Sequence, residues 1–398
     1  MTGPGLAHDY LLVMRGAERT FAQIARCFPG APVYTLLYDR ERLGRLFSDR
    51  EVVTSRLQRL PIRQRGFRSL LPLCPGAIDR LAVAQHDVLV SSSSAFAHGV
   101  RQAPEATHIC YCHSPFRYIW HERDLALREV PSVARPLLAR ELRRIRRWDL
   151  AAAGRVDHFI ANSRITQERI ATFWGRDSTI IHPPVDVERF QPGIAEDFFL
   201  TVGELVPHKR FDQVLLAAEH AGRRVKVVGT GPELGRLRAR FGAGAEFLGR
   251  VQDDHLADLM ARARALVVST VEEFGIAAVE AQAAGRPVIG PDRGGTRETV
   301  RDGETGILYP AHDFDTLAEV MRDVDFDRFD PALARRSAMR FRADLFRRRI
   351  RIVVKQLTCP APPGEPEYAA RSAFSDRART ATSTGADSLA DHEQPVLD

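Results

Sequence analysis

The chain has 398 residues, 44% hydrophobic and 27% charged, with a formal net charge of +6. This is the composition of a soluble globular protein, long enough for two domains of ordinary size. No apolar run approaches the ~18 residues of a membrane span, no secretory signal pattern opens the chain, and the five cysteines show no zinc-like pair of pairs. A cytoplasmic location is expected. Charge is uneven, with 28 Arg against 19 acids in residues 1–190 and 29 Lys+Arg against 32 acids in residues 191–398. The basic half is therefore the one expected to face something anionic.

Gly5–Tyr10 reads as a short strand running into a loop. Phe21, Ile24, Ala25 and Phe28 then recur at helical spacing, and Gly16 at the helix entrance permits a close ligand approach. Ala31–Leu37 is a second strand. Residues 52–78 combine five Arg, no acid and the bulky residues Leu57, Leu60, Ile62, Phe67, Leu70, Leu71 and Leu73. Such a stretch suits either an anionic leaflet or a core with solvated arginines. Asp87–Val90 followed by Ser91–Ser94 is a buried strand entering a polar turn, and Thr107–Cys112 is another, ending in His113-Ser114-Pro115. Val133–Gly154 reads as a long helix with Leu138, Leu142, Ile145, Trp148 and Ala152 on one face, the rest crowded with arginines. A strand at Val156–Ala161, a helix at Ser163–Phe173 and a strand at Thr179–Ile181 complete this half. Pro183, Pro184 and Pro192 mark a linker over 183–197.

The second half opens with a strand at Phe198–Gly203 and the loop Glu204–Arg210, whose Lys209 precedes a helix at Phe211–Ala221. A cation in a strand-to-helix loop suits a diphosphate. Val225–Val228 runs into the glycine turn of Gly229 and Gly231. Glu246–Leu248 is a strand ending at Gly249, Arg250 and Val251, and a helix at Asp254–Ala263 follows. Ala265–Gly290 is then one βαβ unit. In it Phe274-Gly275-Ile276-Ala277 presents backbone N–H groups at a helix start, a ready phosphate site. Glu272 and Glu280 flank that turn and can point to the crevice at the carboxyl ends of the strands. Glu280 sits in a helix otherwise built of Ile, Ala, Val and Gly, hardly a solvated face. Gly294-Gly295, a strand at Gly306–Tyr309 and helices at Asp313–Asp323 and Pro331–Gln356 follow. From 358 onward Pro, Ser, Thr, Ala and acids without periodicity predict a disordered tail. Asp323-Val324-Asp325 lies far from any phosphate loop, and no metal is assigned to it.

Glu272, seven residues, then Glu280, with Phe274-Gly275 between them, resembles the signature of retaining glycosyltransferases of family 4, which have the GT-B fold. The resemblance extends over residues 6–356 and is strongest over 198–310. It implies an α/β fold of two facing Rossmann-like domains with a deep interdomain cleft. The expected divisions are an acceptor domain over 1–182, a linker over 183–197, a donor domain over 198–330, a helix over 331–357 returning toward the first domain, and the tail over 358–398.

The same resemblance implies the roles of the site residues. Glu272 would meet the donor sugar's hydroxyls, the backbone at Phe274–Ala277 would hold the diphosphate, and Glu280 would bind the nucleotide ribose. His113 would lie near the scissile bond, Gly249 to Val251 would hold the nucleobase by backbone groups, and Lys209 with Arg210 would meet the leaving diphosphate. Two positions depart from the family. Arg15-Gly16 keeps one glycine where two are usual, and Glu204 stands where an Arg is usual. The segments HDY, RGAER, SSSSAFAHGV and CYCHSPFRYIW resemble bacterial mannosyltransferases of polysaccharide synthesis, which implies GDP-mannose as donor, with a UDP-sugar as the alternative. A glycan or polyprenyl-diphosphate-linked acceptor, an anionic membrane surface at the cytoplasmic face, and neither cofactor, metal nor nucleic acid complete the expectation. The alternatives are a GT-B epimerase or phosphorylase, or a silent nucleotide-sugar-binding scaffold.

Overall fold

The computed structural model describes residues 3–60, 67–83, 85–128 and 130–359. Seven strands form the first sheet: β1 (Gly5–His8), β2 (Val33–Thr35), β3 (Val52–Thr54), β4 (Val88–Ser93), β5 (Thr107–Cys112), β6 (His158–Ala161) and β7 (Ser178–Ile180). All pair in parallel in the order β3-β2-β1-β4-β5-β6-β7. The second sheet holds β8 (Phe199–Val202), β9 (Val225–Val228), β10 (Ala245–Gly249), β11 (Ala265–Val267), β12 (Val288–Pro291) and β13 (Gly306–Tyr309). It is also wholly parallel, in the order β10-β9-β8-β11-β12-β13. Two Rossmann-like α/β domains result. Each sheet reverses direction beside its own first strand, between β1 and β4 and between β8 and β11, and such switch points open the crevices where α/β sheets bind ligands.

Strands covered on both faces need apolar side chains throughout, as in β11 and β12, whose residues are all buried. β4 departs from this, because Ser91, Ser92 and Ser93 are buried with their hydroxyls bonded to histidines. The residues Val52–Thr54 pair with β2 as an edge strand. Three residues are too few for alternation to reveal a strand, so the sequence reads there only as part of a basic stretch.

Helix α1 (Gly16–Ala25) follows β1, and α2 (Arg135–Ala153) covers the first sheet. Leu142 and Ile145 of α2 are 2% and 1% exposed, and burial of such side chains stabilises by about 1.5–3 kcal/mol each. Further along come α3 (Arg164–Trp174), α4 (Phe211–Ala221), α5 (Ile276–Ala283) and α6 (Gly295–Thr299). The segment after residue 330 is two helices rather than one, α7 (Pro331–Ala338) and α8 (Ala343–Thr358). They part around Phe341 and Arg342, where the chain crosses the linker: Val185 N–H donates to the Phe341 carbonyl at 2.9 Å, and Phe341 is buried against Phe274 and His182. Past this break, Phe346 meets the Tyr111 ring and Arg347 donates to Gln23 Oε1 at 2.5 Å.

Residues 1–352 are one unit and 353–398 another. In the second, Thr358 Oγ1 donates to the Val354 carbonyl at 2.8 Å. The tail beyond Cys359, expected to be disordered, lies outside the described residues. Among the described residues no helix is long and apolar enough to cross a membrane.

Candidate functional site

At the carboxyl end of β8 the chain turns through Gly203 and Glu204 into a short 3-10 turn, Pro207–Lys209. A Cβ on Gly229 would lie 1.8 Å from the Gly203 carbonyl oxygen, and one on Gly231 would lie 2.3 Å from that of Leu205. The two glycines therefore let the end of β9 press against this loop. From the other side, Ser269 Oγ donates to the Lys209 carbonyl at 2.9 Å and Thr270 Oγ1 to that of His208 at 3.0 Å. The loop is clamped from β9 and from the residues after β11. Arg210 takes a left-handed conformation at φ 48°, unusual for a residue with a Cβ, and its guanidinium turns to Asp212 at 3.3 Å.

Within this frame Lys209 Nζ lies 2.9 Å from Glu272 Oε1, both partly exposed. Gly275, at φ 79°, opens α5, and the N–H groups of Ile276 and Ala277 begin the helix without partners inside it. The Phe274 side chain is buried against His182 and Phe341, so this residue offers only its backbone. The turn is closed by Gly294 and Gly295, where a Cβ would strike the Glu272 and Phe274 carbonyls at 2.6 and 2.1 Å, and Gly295 N–H donates to the Glu272 carbonyl at 2.8 Å. Side-chain chemistry at 294–295 gave no signal for this close approach.

Glu280 stands one turn into α5, 8% exposed, with Arg189 at 3.4 Å. Burial pushes its carboxyl up to about 7, opposed by Arg189 and Arg19. Arg189 also binds Asp253 at 3.0 Å. Arg250 is exposed and Val251 half-buried at the end of β10, two strands from β8 at the sheet edge.

The first domain brings a different kind of wall. His113 follows β5, with its N–H on the Ser93 carbonyl at 2.8 Å and Nε2 2.8 Å from Ser92 Oγ. The same hydroxyl lies 3.1 Å from His8 Nδ1. Burial, with His8 nearby, pushes the His113 imidazole down to about 3, so it is neutral and offers hydrogen bonding without charge. Asp9, beside it in sequence to His8, accepts from the backbone N–H groups of Ser94, Ala95, Phe96 and Ala97 at 2.5–3.2 Å. This buried carboxylate pins the loop after β4. Sequence reasoning passed over it, although an Asp directly at a strand end facing a serine run was a usable signal.

Several contacts join the two domains around these groups. Arg169 donates to Glu273 Oε1 at 2.8 Å, with Arg117 at 3.9 Å. Burial opposes ionisation of Glu273, but the two guanidinium groups outweigh it and hold the carboxyl below the usual carboxylate range. Glu298 of α6 accepts from the Arg164 N–H at 2.8 Å at the start of α3 and meets His182 at 2.9 Å. Arg15 donates to Glu204 at 3.2 Å, and the Cβ position of Gly16 lies 3.1 Å from Ile276 Cδ1. Lys209, Glu272, Gly275, Ile276 and Gly16 are thus brought together. Among the described residues no group of three or more His, Cys, Asp and Glu side chains could hold a metal ion.

Two family models match the chain: "Glycosyltransferase Family 4" over residues 14–189 and "Glycosyl transferases group 1" over residues 185–337. Among curated relatives, the D-inositol 3-phosphate glycosyltransferase of Streptomyces bingchenggensis is 32% identical over 46% of this chain and 48% of its own length. The one from Mycolicibacterium smegmatis is 29% identical over 68% of this chain and 74% of its own length. The chain spans about half the length of the first of these relatives. Among solved structures, Anabaena HepE in complex with UDP and glucose superposes with a TM-score of 0.67 at 18% identity, over 89% of this chain and 100% of that one. Sucrose-phosphate synthase from Thermosynechococcus elongatus gives 0.66 at 17% identity, over 89% and 99%. These likenesses identify the fold as GT-B.

Proposed function

We propose that this chain, which has the GT-B fold and is matched by two glycosyltransferase family models, transfers a sugar from a nucleotide donor to an acceptor hydroxyl with retention of configuration. The observation that carries this reading is the convergence at one strand-end crevice of Lys209, Glu272 and the opening turn of α5. In it the donor's diphosphate lies on the Ile276 and Ala277 N–H groups beside Lys209, Glu272 accepts from the sugar hydroxyls, and Glu280 accepts from the ribose.

The bond from the anomeric carbon to the diphosphate breaks through an oxocarbenium-like state. The acceptor oxygen bonds to that carbon on the same face, and its proton passes to a diphosphate oxygen. Lys209 and the helix start stabilise the charge that gathers on the leaving group, a preorganised term that is usually the largest in such catalysis. Neutral His113 helps to orient the sugar. Lys209 and Glu272 pair with each other, so a bound donor competes for both, drawing Lys209 to phosphate and Glu272 to sugar.

The donor we favour is GDP-mannose, on the resemblance of the N-terminal segments. A UDP-sugar is the second reading, and the complex of HepE with UDP and glucose favours it. The acceptor we favour is a glycan or a polyprenyl-diphosphate-linked glycan at an anionic membrane. Supporting this, Leu60 and Leu73 are 41% and 53% exposed in the basic stretch, whereas Leu57 and Leu70 are buried in the core. Arg144 of α2 donates to the Pro72 carbonyl at 2.5 Å. It thereby joins the stretch to a helix face that exposes Arg140, Arg143 and Arg147, with Val133 and Leu137 at its start 88% and 73% exposed. Arg63 and Arg65 lie outside the described residues, as do the side chains of Phe67 and Arg68.

A thermal-shift screen over GDP, UDP, ADP and their sugars tests the proposal. One diphosphate series is expected to stabilise the chain, and its sugar form to be slowly hydrolysed without acceptor. Stabilisation without any hydrolysis or transfer would leave a binding scaffold in place of an enzyme.

A further inference from the structure

The pair between Arg15 and Glu204 is the most exposed of the contacts described between the two domains. The side chains are 61% and 46% exposed, and a solvated ion pair of this kind adds little to stability. Its location is more telling than its strength. Arg15 is the residue before α1, and the next residue, Gly16, lies against Ile276 at the start of α5. Glu204 follows Gly203, whose Cβ position is 3.3 Å from Lys209 Nζ. The residues next in sequence to this pair, Gly16 and Gly203, thus lie against the two groups proposed to hold the diphosphate, and Arg15 comes from the opposite domain. Its backbone is fixed, since the Arg15 N–H donates to Glu18 Oε2 at 3.0 Å, while its side chain is largely exposed.

We propose that Arg15 is a diphosphate ligand contributed by the first domain, for which Glu204 and a bound diphosphate compete. The inference rests on the reading of this crevice as a nucleotide-sugar site and adds a specific residue to it. A planar guanidinium matches two phosphate oxygens better than it matches one carboxylate oxygen at the surface, so a bound diphosphate displaces Glu204. The acid at position 204 then does not deprive the leaving group of a cation. It holds the cation that the other domain supplies, and the transfer of Arg15 from Glu204 to phosphate ties the first domain to the donor.

The test is titration calorimetry of the full chain with UDP and GDP and with UMP and GMP at low salt. Arg15→Gln is expected to weaken the preferred nucleoside diphosphate by about tenfold, the size of one charge-assisted contact, and to leave the monophosphate and the melting temperature nearly unchanged. Adding Glu204→Arg to Arg15→Gln restores the cation from the other wall, and with it most of the diphosphate affinity. Equal diphosphate affinity in Arg15→Gln and parent overturns the inference while the site reading stands. So does an equal loss for mono- and diphosphate, which would assign Arg15 to the fold or to the α-phosphate. A parent that binds neither UDP nor GDP overturns the site reading and this inference together.

Discussion

The two domains share one topology and differ in what they place at the same topological point. At the ends of β1, β4 and β5 the first domain sets a hydrogen-bonded group: buried His8 and half-buried His113 share Ser92, and buried Asp9 is held by four backbone N–H groups. At the ends of β8 and β11 the second domain sets solvent-accessible charge, Lys209 and Glu272, next to an open helix start. A parallel sheet creates a crevice wherever its order reverses, but the fold alone does not decide which crevice carries mobile charge. The first wall is preorganised by internal hydrogen bonds, suited to orienting a ligand. The second can exchange its internal ion pair for contacts with one.

Removing charge from the second wall should have the largest effect. Lys209→Ala is expected to lower turnover by on the order of 10²-fold, as loss of one preorganised donor does, with the melting temperature little changed. Steady-state release of nucleoside diphosphate measures it, and parental turnover would remove Lys209 from the leaving-group role.

The two glutamates of that wall should separate next. Glu280→Ala is expected to weaken nucleoside-diphosphate binding by about tenfold, the order of a lost hydrogen bond to a charged group. Glu272→Ala is expected to spare that binding and impair transfer of the sugar. Calorimetry alongside kinetics tells them apart, and equal damage to diphosphate affinity by both would contradict the division.

A pH series contrasts the walls directly. Glu280, raised to about 7, binds its proton more tightly in the folded chain than in the unfolded one. It therefore lowers stability as pH climbs from its unfolded value toward about 7, and adds no further slope above. Glu280→Gln should remove that slope from melting curves. Nucleoside-diphosphate affinity of the parent should rise across the same window as the carboxylate forms. His113, pushed down to about 3, stays neutral throughout, so His113→Gln should lower transfer without shifting the pH profile. A profile that moves in this variant would mean that His113 titrates during catalysis.

The smallest effect belongs to the basic surface. Binding to vesicles containing anionic lipid should be reversible, fall with added salt, and drop when Arg59, Arg63, Arg65 and Arg68 become Gln. Each Arg near such a surface contributes about 1 kcal/mol. A parent that does not sediment with anionic vesicles at low salt would mark this stretch as structural.

Sequence alone determined the alternation of strands and helices and the βαβ unit around the α5 turn, because apolar runs, glycines and a buried-looking Glu280 are local properties of the chain; the two Rossmann-like halves were implied by the family resemblance. Position in a helix of small residues already implied that Glu280 is not solvated, and its 8% exposure has the same cause. Tertiary structure decided whatever depends on residues far apart in the chain. Val52–Thr54 becomes a strand only because β2 offers an edge, and the last segment breaks at Phe341 only because the linker crosses there. Gly229, Gly231 and Gly295 have the role of admitting another backbone, which depends on what is packed against them. The four N–H groups on Asp9, the lock of Glu273 by Arg117 and Arg169, and the reach of Arg15 to Glu204 join residues 85 to 189 positions apart. No local pattern encodes such pairs. They exist because the parallel order sets β1 beside β4 and because the two domains meet around Glu273 and Glu204.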